Sequence, residues 1–157
     1  KSYSSDGGVH WSKVEPTELA MSNSPCAMKR IPTTGDLVLV WNQMSNAEIE
    51  HGYRRGRLTM ALSKDDGQTW ENFKTLELSP GLEDVKRVKL SPVKSMVRGP
   101  SGRDSLMGDI PDGFTHYHYP YLAITKDHFF VSYGLTPLGG GSSTTERAFS
   151  ITGLYGE

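Results

Sequence analysis

Short apolar runs separated by turn residues dominate the pattern of hydrophobic and polar positions along the chain. Leu37–Trp41 ("LVLVW") follows the turn "TTGD", and Arg57–Ser63 ("RLTMALS") alternates before it stops at "KDDG". "YLAIT" leads through "KDH" into "FFVSYG", which is the pattern of a hairpin, and "RAFSITGLYG" closes the chain with another strand-like run. Runs of this length, punctuated by Gly, Asp and Pro, predict an all-β protein.

Two stretches depart from the strand pattern. "NAEIEHGYRR" is the best candidate for a helix, and it is short. Residues 86–118 form a long irregular region with Pro, Gly, Ser and scattered charge. Since a compact domain rarely leaves so many residues unstructured, this region predicts a functional loop or a mobile insertion. The length of 157 residues predicts one domain over residues 1–157 that carries this region.

An eight-residue motif, Ser-x-Asp-x-Gly-x-x-Trp, occurs as "SSDGGVHW" near the start and as "SKDDGQTW" in the middle of the chain. Each aspartate can accept hydrogen bonds from nearby backbone N–H groups and close a tight turn. The motif glycines, Gly8 and Gly67, permit a positive φ at which a side chain would clash. We expect Trp11 and Trp70 to fold back as apolar plugs between neighbouring sheets. Such repetition is typical of propellers and solenoids.

Composition and charge exclude several classes of function. The formal net charge of −1 gives no broad field that would gather nucleic acid or an acidic membrane. No apolar run approaches the roughly 20 residues needed to cross a bilayer. The single cysteine, Cys26, excludes an internal disulfide and a multi-cysteine zinc site, and its apolar segment predicts a buried thiol. We therefore expect neither a nucleic-acid nor a membrane partner.

Neither a metal nor another cofactor is predicted. His116 and His118 are two positions apart and could meet a metal only from one face of a strand, with no third ligand evident. The glycine-rich "LGGGSS" lacks the lysine and the following helix of a phosphate-binding loop, which leaves a flexible loop. The chain begins inside a turn motif, so we expect that the N-terminal part of a larger protein is missing.

The paired turns match the Asp box, or BNR repeat, of the sialidase superfamily. "SPCAMKRIPTTGDLVLVWN", "RRGRLTMALSKDDGQTW" and "YPYLAITKDHFFVSYG" also resemble segments of sialidase-like proteins, and together they cover most of the chain outside residues 86–118. The resemblance implies a partial six-bladed β-propeller of about two to three four-stranded blades, forming the C-terminal part of its parent. It places the Asp boxes within blades, away from the active site.

The resemblance implies a retaining glycoside hydrolase that acts on terminal sialic acid or a related acidic sugar through a tyrosine nucleophile. The sugar carries a carboxylate on its anomeric carbon, so an attacking Asp or Glu would meet like charge. A neutral phenol avoids that repulsion, but its pKa of about 10 makes it a poor nucleophile until a carboxylate takes its proton. Arginines grip the substrate carboxylate. The compartment is unknown, and would be extracellular or periplasmic if the resemblance holds.

The resemblance assigns the catalytic pair to Tyr119 and Glu18. Tyr119, in "HYPYL", falls at the position of the nucleophile, with Tyr117 and Tyr121 as alternatives or an ordinary strand aromatic as the simpler interpretation. Glu18, in "TELAMSNSPC", fits the glutamate that would activate the phenol, although Glu15 competes with it and either could be a solvated loop carboxylate.

The resemblance also assigns a substrate-binding arginine to "YRRGR", just before a strand and an Asp box. Arg54, Arg55 and Arg57 are the candidates for a carboxylate ligand; Arg55 is preferred, and a solvated basic turn is the alternative. Arg98 and Arg103 in the long region could reach a substrate, but only their charge recommends them.

The chain departs from the family pattern at Asn42 and Gln43, where another arginine usually follows the strand. The bound sugar could therefore be another carboxylated or a neutral one, and a non-catalytic propeller that binds glycan or protein is the alternative function. A related carbohydrate lyase is a third. The acid/base aspartate and the first arginine belong to the family's N-terminal blades, so the chain alone is expected to be incomplete and to need its missing half or self-association.

Overall fold

The computed structural model describes residues 1–51, 53–88 and 110–156, which form two antiparallel sheets and two short helices. The elements in chain order are β1 (Ala27–Arg30), β2 (Leu37–Trp41), α1 (Asn46–Glu50), β3 (Arg57–Ser63), β4 (Glu71–Leu78), β5 (Thr115–Ile124), β6 (His128–Pro137), β7 (Ser143–Ser150) and α2 (Ile151–Leu154).

The first sheet has the strand order β1-β2-β3-β4 and is covered on both faces. All residues of β2 and β3 are buried, because alternate side chains enter two different apolar clusters. Val38 and Val40 face the inter-sheet core, whereas Leu39 and Trp41 join an outer cluster with Trp70. Burial on both faces explains why "LVLVW" is a continuous apolar run.

The second sheet has the strand order β5-β6-β7 and packs one face on the first sheet. Its inward residues, which include Leu122, Phe129 and Val131, meet Met60 and Leu62 of β3 in one core. Its outward face is open, with Tyr121 and Phe130 exposed.

Both Asp-box motifs adopt the predicted turn. In the first, Ser4 Oγ donates to Asp6 Oδ1 at 2.8 Å, and the backbone N–H of His10 donates to the same oxygen at 2.9 Å. In the second, Ser63 Oγ and the Thr69 N–H donate to Asp65 Oδ1, each at 2.8 Å. These contacts hold the pKa of both aspartates at about 2, chiefly through hydrogen bonds from His10 and from Thr69 respectively. The predicted positive φ occurs at Gly8 (93°) and Gly67 (80°).

The two motif tryptophans lie in different surroundings. Trp70 is 6% exposed, so its burial agrees with the prediction, but it packs in the outer cluster of the first sheet and not in the core between the two sheets. Trp11 is 64% exposed and only folds back onto its own turn, where its indole N–H donates to the Gly8 carbonyl at 2.9 Å. Neither ring therefore lies between the two described sheets, and the expectation of an inter-sheet plug is not met within the described residues.

The all-β prediction is confirmed, and β2 and β3 have the predicted bounds. The sequence offers "NAEIEHGYRR" only as the best helix candidate, and its first half forms the five-residue α1, which begins with a capping box between Ser45 and Glu48. Neither helix of the described ranges has the length and apolar content to cross a membrane.

Three expectations need correction, and one strand was not predicted. "ENFKTLEL", which follows the second Asp box, is strand β4, and "ITGL" is the short helix α2 and not strand. The irregular region ends earlier than predicted, because β5 begins at Thr115. Cys26 is exposed and not buried, since it directly precedes the short first strand, whose residues are mostly exposed. Residues 89–109 of the long region, with Arg98 and Arg103, lie outside the described residues.

Candidate functional site

The candidate site lies where the start of β5 meets the segment that leads into β3. The Tyr117 N–H donates to the Arg55 carbonyl at 2.8 Å, which ties the two sheets together at this end. The buried side chain of Asn42 adds to this connection, because its Nδ2 donates to the carbonyls of Arg57 (2.9 Å) and Tyr117 (3.0 Å). Ser24 Oγ in turn donates to Asn42 Oδ1 at 2.8 Å. Asn42 thus connects the Arg57 backbone, the Tyr117 backbone and the Ser24 side chain next to the candidate site.

Gln43, the other residue that departs from the family pattern, is also buried. Its Oε1 accepts a hydrogen bond of 3.2 Å from Thr59 Oγ1 within the first sheet. Neither amide is exposed at the surface, so the two residues support the site from inside the protein.

Arg55 and Tyr119 meet at this junction. The guanidinium carbon of Arg55 lies 5.5 Å from the centre of the Tyr119 ring, which is the geometry of a cation–π contact. Both residues have a left-handed backbone, with φ of 56° and 52° respectively. Non-glycine residues rarely adopt this conformation, and each instance costs on the order of 1 kcal/mol or more. The surrounding hydrogen bonds therefore hold two strained residues against each other.

A β-bulge presents Tyr119 to solvent. The β5–β6 register shifts between His118, which pairs with Gly134, and Tyr121, which pairs with Ser132. The extra residue turns Tyr119 away from the alternation of the strand, and 62% of Tyr119 is exposed. A phenol that is to attack a substrate needs this accessibility.

His118 packs beside Tyr119. The two ring centres are 5.3 Å apart with an interplanar angle of 77°, an edge-to-face contact. Burial, and then the positive charge of Arg55, lower the pKa of His118 from its usual value. The imidazole is therefore neutral at pH 7 and adds no second cation beside the arginine.

The alternative tyrosines occupy different environments. Tyr117 points into the inter-sheet core, and burial raises its pKa, with the charge of Glu77 adding to the effect. Tyr121 is exposed on the outward face of the second sheet, where the Lys29 ammonium lies 5.5 Å from its ring centre. Tyr117 meets Arg55 through its backbone, whereas the Tyr119 ring lies against the Arg55 guanidinium.

Glu18 is not in contact with Tyr119. Its carboxylate pairs with Arg87 at 2.9 Å, and about half of each side chain is exposed. The Arg87 guanidinium covers the ring of Phe73, which packs on the outer cluster of the first sheet. This places Glu18 on the opposite side of that sheet from the inter-sheet core. Glu15, its competitor, is exposed and bonded through its backbone to Lys1.

The three arginines of "YRRGR" differ in exposure. Arg54 is exposed, and Arg55 is half-buried beneath Tyr119. Arg57 is 1% exposed, and its guanidinium donates to the Glu83 carbonyl, to the Val85 carbonyl at 3.3 Å and to Glu48 Oε2 at 3.4 Å. The interior position of Arg57 makes it a structural arginine that joins α1 to residues 83–85.

A second cluster of tyrosine, glutamate and arginine was not predicted. The buried Tyr133 donates its hydroxyl to Glu77 Oε1, and Arg147 pairs with the same oxygen at 2.7 Å. Burial, followed by the bond to Glu77, raises the pKa of Tyr133 far above its usual value. Tyr133 is 1% exposed, so this cluster connects β4 to the second sheet and cannot supply a nucleophile. Its residues lie far apart in sequence, and only the strand register across the two sheets could have revealed it.

The Asp box of the first sheet lies far from the candidate site. β3 runs from Arg57, beside the site, to Ser63, which opens the Asp-box turn. Seven residues of strand separate the two ends by about 20 Å, at about 3.3 Å per residue. The motif therefore stabilises the sheet without reaching the candidate site, as the resemblance implied. In the described part of the chain, no group of His, Cys, Asp and Glu side chains is arranged to hold a metal ion.

Comparison with known proteins identifies the family. The model of the BNR repeat-like domain matches residues 1–131, which include both Asp boxes, Arg55 and Tyr119. Neither the curated proteins nor the solved structures contain a match to the chain. Since the family match covers most of the chain, the protein belongs to the BNR repeat-like domain family, within the sialidase and BNR repeat superfamily.

Proposed function

We propose that the chain is the C-terminal part of a sialidase-like glycoside hydrolase, with Arg55 and Tyr119 in its substrate site. The observation that carries this proposal is their contact. The two residues come from segments more than 60 positions apart, and the resemblance assigns them separately to substrate binding and nucleophilic attack. Each has a strained backbone, and they pack on each other at a solvent-accessible bulge. Such strain is common at functional sites.

The proposed architecture is a six-bladed β-propeller of which residues 1–157 form one partial domain. Two antiparallel sheets packed face to face, one with four strands and one with three, fit consecutive blades. The open outward face of the second sheet and the exposed Trp11 fit positions where further blades would pack. We propose that these surfaces are covered by the missing part of the propeller or by a second copy of the chain.

In the proposed reaction, Arg55 binds the substrate carboxylate with charge-assisted hydrogen bonds. The Tyr119 oxygen forms a bond to the anomeric carbon as the glycosidic bond breaks, and its proton passes to a carboxylate. An acid outside this chain protonates the leaving oxygen. Water then cleaves the glycosyl–tyrosine bond, which restores the phenol and retains the configuration.

Glu18 remains the candidate for the carboxylate that takes the phenol proton. In the described structure it pairs with Arg87 on the outer side of the first sheet, so its role requires both that it leave this arginine and that its segment move toward Tyr119 when substrate binds. The Glu18–Arg87 pair is half exposed and is therefore worth at most about 1 kcal/mol, a cost that substrate binding could meet.

The test is turnover of a fluorogenic sialoside by the polypeptide that contains this chain together with the remaining blades. Tyr119→Phe should lower kcat at least about 100-fold, since it removes the nucleophilic oxygen and keeps the ring over Arg55. Tyr121→Phe, which removes an equally exposed phenol from the same strand, is the matched control and should retain activity. Equal turnover by wild type and Tyr119→Phe would exclude the proposed nucleophile.

A non-catalytic propeller that binds glycan or protein is the second candidate. The bond between Glu18 and Arg87 favours it, because the carboxylate that should activate the phenol is occupied elsewhere. Binding of a sialylated glycan that is lost in Arg55→Ala, without any turnover, would support this alternative over hydrolysis. An unsaturated product absorbing in the near ultraviolet would instead indicate a lyase.

A further inference from the structure

The His118 side chain is held in a closely fitted place beside the proposed nucleophile. Its ring lies on Gly134 of β6, so that a methyl group at Gly134 would come within 2.3 Å of His118 Cε1 and 2.5 Å of Nδ1. No other residue type leaves room for the imidazole there. The His118 ring also contacts the Tyr119 ring in an edge-to-face arrangement.

A polar contact fixes the orientation of this ring. His118 Nε2 lies 2.9 Å from Thr136 Oγ1, while Nδ1 is buried without a hydrogen-bond partner. Since a buried N–H without a partner is less favourable than a buried ring nitrogen that lacks only a donor, the proton of the neutral imidazole is placed on Nε2, which then donates to Thr136. The imidazole is therefore held by one hydrogen bond and by close packing on Gly134.

The contact continues into the loop between β6 and β7. Thr136 Oγ1 lies 2.7 Å from Ser142 Oγ, at the end of the glycine-rich loop 138–142. Because Thr136 can accept from His118 and donate to Ser142, a line of hydrogen bonds connects this loop to the ring that touches Tyr119.

We propose that His118 is a positioning residue: it holds Tyr119 in the orientation needed for attack and connects it, through Thr136, to the loop 138–142. The Tyr119 side chain needs a rigid neighbour to fix its orientation, because it is exposed, lies on a β-bulge and has a left-handed backbone. The Arg55 guanidinium, which also contacts the Tyr119 ring, must turn to a substrate carboxylate during binding. Because Tyr119 is taken as the reacting group, this role rests on the function proposed above.

Simple packing is the competing explanation, and the two can be separated by substitution. If His118 only fills space, His118→Phe should replace it fully, since the aromatic edge contact is retained. If the hydrogen bond orients the ring, His118→Phe and Thr136→Val should both release Tyr119. His118→Gln, which keeps an N–H near the position of Nε2, should restore part of the effect.

The experiment places 3-fluorotyrosine at position 119 alone and records ¹⁹F NMR spectra of the folded chain. Wild type should give one narrow resonance. His118→Phe and Thr136→Val should shift it by more than its linewidth or broaden it, and His118→Gln should change it less. His128→Ala, an exposed histidine at the far end of the same two strands, is the matched control and should leave the resonance unchanged. Far-UV circular dichroism of each variant establishes that the sheets are intact.

An unchanged resonance in both His118→Phe and Thr136→Val, with the fold intact, would overturn the positioning role. In the complete protein, the same two variants should lower kcat on a sialoside about 100-fold with little change in KM, the penalty typical of a misplaced reacting group. A loss confined to KM would also contradict it. If no sialoside is turned over, the proposed function fails, whereas the fluorine spectra still decide whether His118 positions Tyr119.

Discussion

Truncation of the two motif tryptophans offers a direct test of how the Asp boxes work. The turns share their hydrogen bonds, yet Trp70 is 6% exposed and Trp11 is 64% exposed. Trp70→Ala and Trp11→Ala therefore make the same chemical change in the same motif and differ only in what surrounds the ring. The chain of residues 1–157 is used for both.

The magnitudes follow from the buried area. A buried tryptophan removes on the order of 200 Å² from water, which at about 25 cal/mol per Å² corresponds to about 5 kcal/mol. Since measured costs of truncating buried Phe or Trp are about 3–5 kcal/mol, we expect that range for Trp70→Ala. Trp11 has roughly a third of this area to lose, which corresponds to at most about 1.5 kcal/mol, because the unfolded chain also covers part of the ring.

Urea unfolding followed by far-UV circular dichroism measures the difference. Circular dichroism is preferred to fluorescence because both variants remove an indole. The midpoint should fall strongly for Trp70→Ala and little for Trp11→Ala, with similar m-values if both unfold in one step. Equal losses of unfolding free energy in this chain would refute the reasoning. In a polypeptide that carries a further blade against the first motif, the Trp11→Ala cost should rise toward that of Trp70→Ala.

Three further predictions concern the hydrogen-bonded charges. The pKa of Asp65 is lowered to about 2 in the folded state, below its unfolded value near 3.9. The stabilisation that Asp65 gives is therefore complete above about pH 4 and is lost as the pH falls toward 2. An acid titration followed by circular dichroism should show a shallower decline of the folded signal for Asp65→Asn than for wild type. Tyr133→Phe should lower the free energy of unfolding by about 1–2 kcal/mol, because Glu77 loses a buried donor, and should leave any turnover unchanged. Glu48→Gln should cost about 3–5 kcal/mol in the same urea assay, because it leaves the guanidinium of Arg57 in the interior without its counter-charge.

Matched variants control each of these predictions. Asp6→Asn removes the same charge from the first motif, which is not packed on a sheet, so it should affect global unfolding less than Asp65→Asn. Tyr121→Phe removes an exposed hydroxyl and should not alter stability measurably. Glu18→Gln breaks a half-exposed pair with Arg87 and should change the unfolding free energy by less than about 1 kcal/mol. A Glu48→Gln cost as small as that of Glu18→Gln would contradict the buried role of Arg57.

The strands that the sequence predicts best are those that are buried on both faces. β2 and β3 are buried along their whole length, so Leu37–Trp41 and Arg57–Ser63 stand out as apolar runs with the observed bounds. The sequence pattern does not predict β4, because the residues at its start are exposed and polar and resemble a charged loop. Its inward positions, such as Leu76, are identifiable only once the register with β3 is known.

The resemblance proposes residues for the site but does not give their geometry. The resemblance selects Arg55 and Tyr119, whereas their contact depends on the bulge in β5 and on two left-handed backbones. Arg57 was a candidate for binding a substrate carboxylate, with a solvated basic turn as the alternative, and both interpretations require an accessible side chain. Arg57 lies in the interior because Glu48 of α1 and the carbonyls of residues 83–85 accept hydrogen bonds from its guanidinium. These partners come from separate segments, so no local sequence pattern predicts them.

Asn42 and Gln43 have a structural explanation that the sequence did not provide. They were interpreted as lost substrate ligands, but Asn42 bonds the backbone of both sheets and Gln43 accepts from Thr59. An arginine at position 42 would bring a charge into a place where a neutral amide satisfies neutral partners. The asparagine that departs from the family pattern therefore has a structural role in connecting the two sheets, in addition to any effect on substrate recognition.

The most direct test of the central claim, that Tyr119 beside Arg55 is the reacting group, is covalent trapping. A fluorinated sialosyl fluoride, in which the ring fluorine slows hydrolysis of the intermediate and the anomeric fluoride is a good leaving group, is incubated with the complete protein. The digest is then analysed by mass spectrometry. The account predicts one glycosyl adduct, on the phenol of Tyr119, that is lost in Tyr119→Phe and retained in Tyr121→Phe. An adduct on any other residue, or turnover of the reagent with none on Tyr119, would contradict it.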